Sequence, residues 1–343
     1  MGEGSEVPRG LSLGDLAAAR LGGGPLSADW AAPGAPARAL RTALTEEALR
    51  ALFAEAAGGG GADRGEAGGG IVGLALGAVG SLGRRDMGPR SDLDLVLIHD
   101  GRSLKEEQLA ELAKRLWYPI WDAGFALDHS VRSLGQCRRV ASNDIPAAVG
   151  LLSLRVVAGD QDLAARAASA VLADWRTGAR RRLPELAEAA AARVERFGEL
   201  AYRIEPDLKE ARGALRDATT LSALAATWLA DRPHGEVDDA WNRILDARDA
   251  LQAVTGRATN ALILAAQDEA AAELGLADAD DLLAGLAEAG RAIAYSLDAT
   301  MRRARQTLTR GVGAHPVIIR GRRAAPRLRS LGEGLVEHDG EVV

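Results

Sequence analysis

The feature that most constrains the fold of this chain is the run VGSLGRRDMGPRSDLDLVLI at residues 79–98, where Asp92 and Asp94 lie in an apolar segment. Successive side chains of a β-strand point to opposite faces, so the two carboxylates would share one face. They repel each other unless a cation lies between them, and Mg²⁺ prefers carboxylate oxygens. At Gly80 and Ser81, backbone N–H groups and a hydroxyl can approach phosphates closely. The run predicts a nucleotidyl-transfer site; a surface turn beside a solvated strand end is the alternative.

Composition narrows the class of protein. The chain has 343 residues, of which 47% are hydrophobic, enough for two domains with ordinary cores. Its net charge is −6 without a basic block, which argues against a nucleic-acid partner. Cys137 is the only cysteine, so an intramolecular disulfide and a Cys-rich zinc site are excluded. Without a long apolar run or a signal peptide pattern, we expect a cytoplasmic protein with no membrane partner.

Hydrophobic periodicity predicts an α+β fold, in which a small mixed β-sheet domain precedes an α-helical bundle domain. Buried strands are predicted at 71–78 and 92–98, a helix at about 104–122, and a third strand at 125–134 that carries Asp128. From 135 to about 310 we expect helices. Four regions follow: an N-terminal arm, helix and Gly-rich linker (1–69), a nucleotidyltransferase domain (70–175), a helical domain (176–310) and a tail (311–343).

Three ordered segments resemble a known family. The Gly-Ser pair followed by Asp-x-Asp is similar to the signature of the DNA polymerase β nucleotidyltransferase superfamily. The segments LWYPIWDAGFALDHSVRSL, DIPAAVGLLSLRVVAGD and EPDLKEARGALRDATTL, at 116–134, 144–160 and 205–221, resemble the bacterial PII uridylyltransferase family. The resemblance covers roughly residues 70–270. One departure is Ala211-Arg212-Gly213-Ala214, where the family has Gly-Pro-Gly-Gly.

The resemblance implies transfer of a nucleoside monophosphate from a nucleoside triphosphate to a tyrosine hydroxyl of the nitrogen-signalling protein PII. Most members use UTP, whereas actinobacterial relatives are associated with ATP. The basic residues here are almost all Arg and Ala and Gly abound, as in a GC-rich genome, so the base stays open. The full-length family continues into phosphohydrolase and ACT domains, and 311–343 looks like the start of such a region. We expect neither nucleotide removal nor glutamine sensing from this chain.

Roles for single residues follow from the resemblance and from two-metal chemistry. Asp92 and Asp94 would bridge two Mg²⁺ ions, and Asp128 would bind one of them and orient the acceptor hydroxyl; alternatively, Asp128 pairs with Arg132. The predicted nucleotide-binding residues are Gly80, Ser81, Arg84, Ser91, Lys209 and Arg216. For Lys209 and Arg216 the alternative is an inter-domain salt-bridge network with Glu205 and Asp207.

Three function hypotheses remain open from the sequence. The first is a nucleotidyltransferase that modifies PII with UMP, or with AMP from ATP. The second is a nucleotidyltransferase for a small molecule or another protein, which the EPDLKE motif and the long helical region disfavour. The third is a non-catalytic remnant that binds nucleotide or PII, which the complete set of three aspartates disfavours.

Overall fold

The computed structural model describes residues 11–58 and 72–310, together with the backbone of five short strands between 318 and 342. The predicted Gly-rich linker falls almost entirely on residues 59–71, outside the described residues. The fold class is α+β, as predicted. The domain boundaries at 69, 175 and 310 stay predictions.

A four-stranded mixed sheet forms the centre of the first half of the chain. Its strands are β1 (Leu74–Ala78), β2 (Leu93–His99), β3 (Leu127–Ser133) and β4 (Arg155–Gly159), in the order β3-β2-β1-β4. β1 pairs antiparallel with β2 and with β4, and β2 pairs parallel with β3. The sequence predicted β1, β2 and β3 but placed only helices after 135. It missed β4 because a short apolar run does not by itself distinguish a strand from a buried helical segment.

Helices cover the sheet and form the rest of the described chain. The first seven are α1 (Leu13–Arg20), α2 (Ser27–Ala31), α3 (Ala35–Gly58), α4 (Gly80–Arg84), α5 (Glu106–Asp122), α6 (Leu134–Asn143) and α7 (Ile145–Leu152). The following six are α8 (Gln161–Thr177), α9 (Ala179–Phe197), α10 (Leu215–Ala226), α11 (Glu236–Thr255), α12 (Leu264–Glu273) and α13 (Ala279–Arg310). Within the described ranges, no helix combines the length and apolarity that crossing a bilayer requires.

The two faces of the sheet belong to two hydrophobic cores. Leu93, Leu95 and Leu97 of β2 pack with residues of α1, α3 and α5 on one face. Val96 and Ile98 pack on the other face in a core that continues through the helical bundle. Because side chains alternate along a strand, Asp94 lies on the bundle face with Val96 and Ile98. The Asp94 carboxylate is thereby turned toward the helices that follow in the chain.

The N-terminal segment is built into the first core. The sequence predicts a loosely held arm over residues 1–35, whereas α1 and α2 pack against α3 in the structure. Leu16 is fully buried and Trp30 is 1% exposed. Few apolar side chains anchor this segment, so its composition resembles a linker even though each anchor is buried.

The tail carries strands that its composition did not predict. β5 (Ile318–Ile319) pairs antiparallel with β6 (Arg322–Arg323). β7 (Leu328–Gly332), β8 (Leu335–His338) and β9 (Glu341–Val342) form a three-stranded antiparallel sheet.

Candidate active site

A cavity of about 660 Å³ lies between the bundle face of the sheet and the helices. This volume is in the range of small-molecule sites. All nine residues predicted from the sequence line it: Gly80, Ser81, Arg84, Ser91, Asp92, Asp94, Asp128, Lys209 and Arg216. They come from separate parts of the chain, so the fold brings the predicted site residues together in one place.

The three aspartates meet at the paired strands β2 and β3. The parallel register places Asp94 directly opposite Asp128, and Asp92 immediately precedes β2. Burial, followed by the negative charges of Asp92 and Asp128, raises the pKa of Asp94 to about 6, while Lys209 and Arg84 act in the opposite direction. Asp94 therefore carries a negative charge that its surroundings compensate incompletely.

This carboxylate set suits a divalent cation. Carboxylate oxygens are the ligands of a hard cation such as Mg²⁺, and a cation would relieve the repulsion that raises the pKa of Asp94. In the part of the chain that the structure describes, no three or more His, Cys, Asp or Glu side chains lie together closely enough to hold a metal ion. The predicted alternative for Asp128 finds no support, because no ion pair between Asp128 and Arg132 occurs within the described residues.

The Gly80–Ser81 segment differs from its prediction in one respect. The sequence predicts a loop turn, whereas Gly80 begins the short helix α4. Gly80 has a φ of 58°, and a Cβ atom there would lie 1.9 Å from Oδ2 of Asp94. Ser81 Oγ is buried and has no hydrogen-bond partner among the described residues, and the first N–H groups of a helix lack intrahelical acceptors. Gly80, Ser81 and Asp94 all line the same cavity.

Arg84 and Ser91 flank the loop that leads to Asp92. Nε of Arg84 donates to Oδ2 of Asp86 at 2.9 Å. The Ser91 hydroxyl accepts a hydrogen bond from the Gly88 N–H at 2.8 Å. The Ser91 side chain thus closes its own loop, and Arg84 keeps a cationic group at the cavity wall.

Lys209 and Arg216 reach the cavity from the EPDLKE segment and from α10. Arg216 Nη2 pairs with Glu210 Oε1 at 2.8 Å. The Lys209 ammonium forms no ion pair with a carboxylate of residues 11–58 or 72–309, and its charge acts on Asp94. Lys209 is therefore the better placed of the two cations for a ligand in the cavity.

The predicted alternative network with Glu205 and Asp207 does not form. Glu205 Oε1 accepts the N–H of Leu264 at 2.7 Å. Asp207 Oδ1 accepts the backbone N–H groups of Lys209 at 2.8 Å and of Glu210 at 2.7 Å. These acids shape the backbone that presents Lys209, and neither of them pairs with its ammonium.

The departure from the family pattern at 211–214 fits the structure. Ala211 and Ala214 are fully buried, so their methyl groups are accommodated in the core. The glycine that remains, Gly213, has a φ of 81°, and a Cβ atom there would lie 2.2 Å from the carbonyl oxygen of Gly290. Close backbone approach therefore occurs at the position where this chain keeps glycine.

Several residues around the cavity escaped sequence reasoning. Thr219, Arg248, Gln252 and Asn260 line it from α10, from α11 and from the loop that follows α11. Arg248 and Gln252 lie one helical turn apart, and both are buried. The sequence signal for them is two polar residues one turn apart on a face of α11 that is otherwise apolar.

Comparison with known proteins agrees with the resemblance. Residues 181–295 match the profile of the family described as GlnD PII-uridylyltransferase. The chain is 47% identical over 346 aligned positions to the bifunctional uridylyltransferase/uridylyl-removing enzyme of Streptomyces coelicolor. This alignment covers 96% of this chain and 38% of the relative. The enzyme of the same name from Mycobacterium tuberculosis is 43% identical over 280 positions, covering 79% and 34%. That of Corynebacterium glutamicum is 37% identical over 242 positions, covering 71% and 34%. The chain thus spans between 34% and 38% of the length of these relatives.

Proposed function

We propose that this chain, which is similar to PII uridylyltransferases over residues 181–295, transfers UMP from UTP to a tyrosine hydroxyl of a PII protein. The observation that carries the proposal is the one cavity that Asp92, Asp94, Asp128, Ser81 and Lys209 line together. In this reaction the tyrosine oxygen forms a bond to the α-phosphorus of UTP. The bond between that phosphorus and the oxygen that bridges the α- and β-phosphates breaks, and diphosphate leaves. The tyrosine proton passes to a base.

Each side chain has a definite task in this proposal. Asp92, Asp94 and Asp128 would hold Mg²⁺, which when bound supplies positive charge to the reacting phosphate and the leaving diphosphate. Ser81 Oγ and the first N–H groups of α4 donate to phosphate oxygens, and Lys209 neutralises part of the triphosphate charge. Asp128 accepts the proton of the tyrosine hydroxyl, whose ordinary pKa of about 10 makes it a weak nucleophile at neutral pH.

The names of the relatives favour UTP as the donor, and ATP is the alternative to be tested beside it. A PII protein is the proposed acceptor, and the cytoplasm is the proposed location. A single buried cysteine in 343 residues supports a reducing compartment. A negative net charge without a basic block supports the absence of a nucleic-acid partner.

The deciding experiment measures the intact mass of PII after incubation with this protein, Mg²⁺ and either UTP or ATP. We expect one UMP per PII subunit with UTP, and no addition with the double variant Asp92→Asn, Asp94→Asn. Asp174→Asn is the matched control, since Asp174 pairs with Arg138 on the surface and does not line the cavity.

The other outcomes separate the remaining hypotheses. Addition of AMP alone would assign ATP as the donor. If PII stays unmodified while the protein binds UTP in a direct titration, the binding-only hypothesis replaces the transferase.

A further inference from the structure

The loop of residues 86–91, which joins α4 to Asp92, is held by side chains from elsewhere in the chain. Three of them come from the N-terminal helices. Trp30 Nε1 donates to the carbonyl of Pro89 at 2.9 Å, and Arg20 Nη2 donates to the carbonyl of Arg90 at 3.0 Å. Arg41 Nε donates to the carbonyl of Met87 at 2.9 Å. The N-terminal segment therefore contacts the loop through hydrogen bonds as well as through apolar packing.

Helix α11 holds the same loop from another direction. Arg248 Nη2 donates to the carbonyl of Asp86 at 2.6 Å. Gln252 Oε1 accepts the N–H of Arg90 at 3.0 Å. A Cβ atom on Gly88 would lie 2.7 Å from Gln252 Oε1 and 3.0 Å from Arg248 Nε, so the loop rests directly on these side chains.

A buried charge cluster links the two sets of contacts. Asp249 is fully buried and accepts hydrogen bonds from Arg38 at 3.1 Å, Arg41 at 2.7 Å and Arg248 at 2.8 Å. Arg41 also donates to the carbonyls of Trp30 and Ala32, at 2.7 and 2.8 Å. The guanidinium groups of Arg41 and Arg248, which both reach the loop, are thus held by one shared carboxylate.

The loop needs such support because of where it ends. It contains no helix or strand, and the residue after it is Asp92, whose negative charge acts on Asp94. Like charges push Asp92 away from Asp94 and Asp128 until a cation binds. A loosely held loop would yield to this repulsion, and ordering it again would then oppose cation binding.

We propose that α1, α2 and α3 position Asp92 for cation binding, with Trp30, Arg20 and Arg41 as positioning residues that act through the carbonyls of the 86–91 loop. This inference rests on the proposed function, in which Asp92 is a ligand of Mg²⁺. It assigns a task in the transfer reaction to the segment whose composition resembles a loose arm.

Trp30→Phe is the sharpest test, because it keeps an aromatic ring in the core and removes the hydrogen bond to Pro89. Trp175→Phe is the matched control. Trp175 is 2% exposed against 1% for Trp30, and its Nε1 also donates to a backbone carbonyl at 2.9 Å, that of Ala223. Neither Trp175 nor Ala223 lines the cavity. The two variants therefore lose comparable interactions, and only one of them touches the loop.

The readouts are amide hydrogen exchange of residues 86–92, Mn²⁺ binding in the absence of PII, and the Mg²⁺ dependence of transfer. We expect Trp30→Phe to speed exchange in the loop and to raise the Mn²⁺ and Mg²⁺ midpoints about fivefold, the equivalent of one hydrogen bond of about 1 kcal/mol. The KM for UTP at saturating Mg²⁺ should change much less. Trp175→Phe should leave the loop exchange and both midpoints unchanged.

Arg41→Lys is the second variant. It keeps a positive charge beside Asp249 and removes the guanidinium contact with Met87, so the same shifts are expected. The proposal is overturned if both variants keep wild-type loop exchange and Mn²⁺ binding, or if Trp175→Phe changes them equally. Exchange and Mn²⁺ binding are measured without acceptor or nucleotide, so a failure of UMP transfer to PII is distinguishable from a failure of this inference.

Discussion

Replacement of Gly80 by alanine tests whether contact between α4 and Asp94 sets the geometry of the site. Gly80 has a φ of 58°, and a Cβ atom there would lie 1.9 Å from Oδ2 and 2.8 Å from Cγ of Asp94. Non-bonded carbon and oxygen atoms in contact are about 3.3 Å apart, so the carboxylate must move by more than about 1 Å. Both the position of Asp94 and the turn into α4 are therefore perturbed.

The expected effect has two separable parts. A left-handed conformation at an alanine lowers the free energy of unfolding by about 1–2 kcal/mol. When a group in an active site is displaced by about 1 Å, the rate of the reaction falls by about 10²-fold. We therefore expect Gly80→Ala to fold, with a modest loss of stability, and to transfer UMP about 10²-fold more slowly.

Gly275→Ala is the control for the backbone part alone. Gly275 has a φ of 71°, and apart from its chain neighbours no heavy atom of the described residues lies within 4 Å of the position of its Cβ. Urea denaturation should give similar losses of stability for the two variants, whereas single-turnover transfer to PII should be slowed only by Gly80→Ala. Transfer by Gly80→Ala within twofold of the wild-type rate, or an equal slowing by Gly275→Ala, would refute the reasoning.

Three further predictions concern charge. The pKa of Asp94 is raised to about 6, so the native state binds more protons than the unfolded state between about pH 4 and 6. The free energy of unfolding therefore falls as the pH rises through that window. In urea titrations without Mg²⁺, Asp94→Asn should raise the free energy of unfolding at pH 7 by about 1–3 kcal/mol. At pH 3 the same substitution should have no such effect. Lys209→Met removes a charge that lowers the pKa of Asp94, so the acidic limb of the kcat/KM profile for transfer should move to higher pH; an unchanged limb would contradict the contact. Asp249→Asn leaves buried guanidinium groups without their carboxylate and should lower the free energy of unfolding by about 3–5 kcal/mol, measured by thermal and urea unfolding.

Much of the sheet domain was predictable because its signals are local. The alternation of Leu93, Leu95 and Leu97 with Asp94 specifies a strand that turns Asp94 away from the three leucines, and the structure has that strand. The five residues of β4 were missed, because so short an apolar segment has no periodicity that excludes a helix. The resemblance to a known family points to Lys209 and Arg216, whereas the spacing of residues along the chain alone does not indicate them.

The N-terminal segment shows the limit of composition as evidence. Residues 11–35 contain enough Gly, Pro and Ala to resemble a linker, yet Trp30 and Leu16 are buried and Arg20 reaches the carbonyl of Arg90. A few anchoring contacts decide whether such a segment packs. Composition averages over those contacts and does not reveal them.

The sequence by itself determined which face of its own strand each side chain occupies, because that periodicity follows from local backbone geometry. It thereby set Asp94 opposite to its apolar neighbours and indicated Gly80 as a point of close approach. Only the tertiary structure decided that Asp94 lies beside Asp128, that Lys209 arrives from more than a hundred residues away, and that Trp30 and Arg41 hold the loop before Asp92. Contacts between residues so far apart in the sequence depend on how whole faces of helices and sheet are buried against one another. No local stretch of residues specifies that burial.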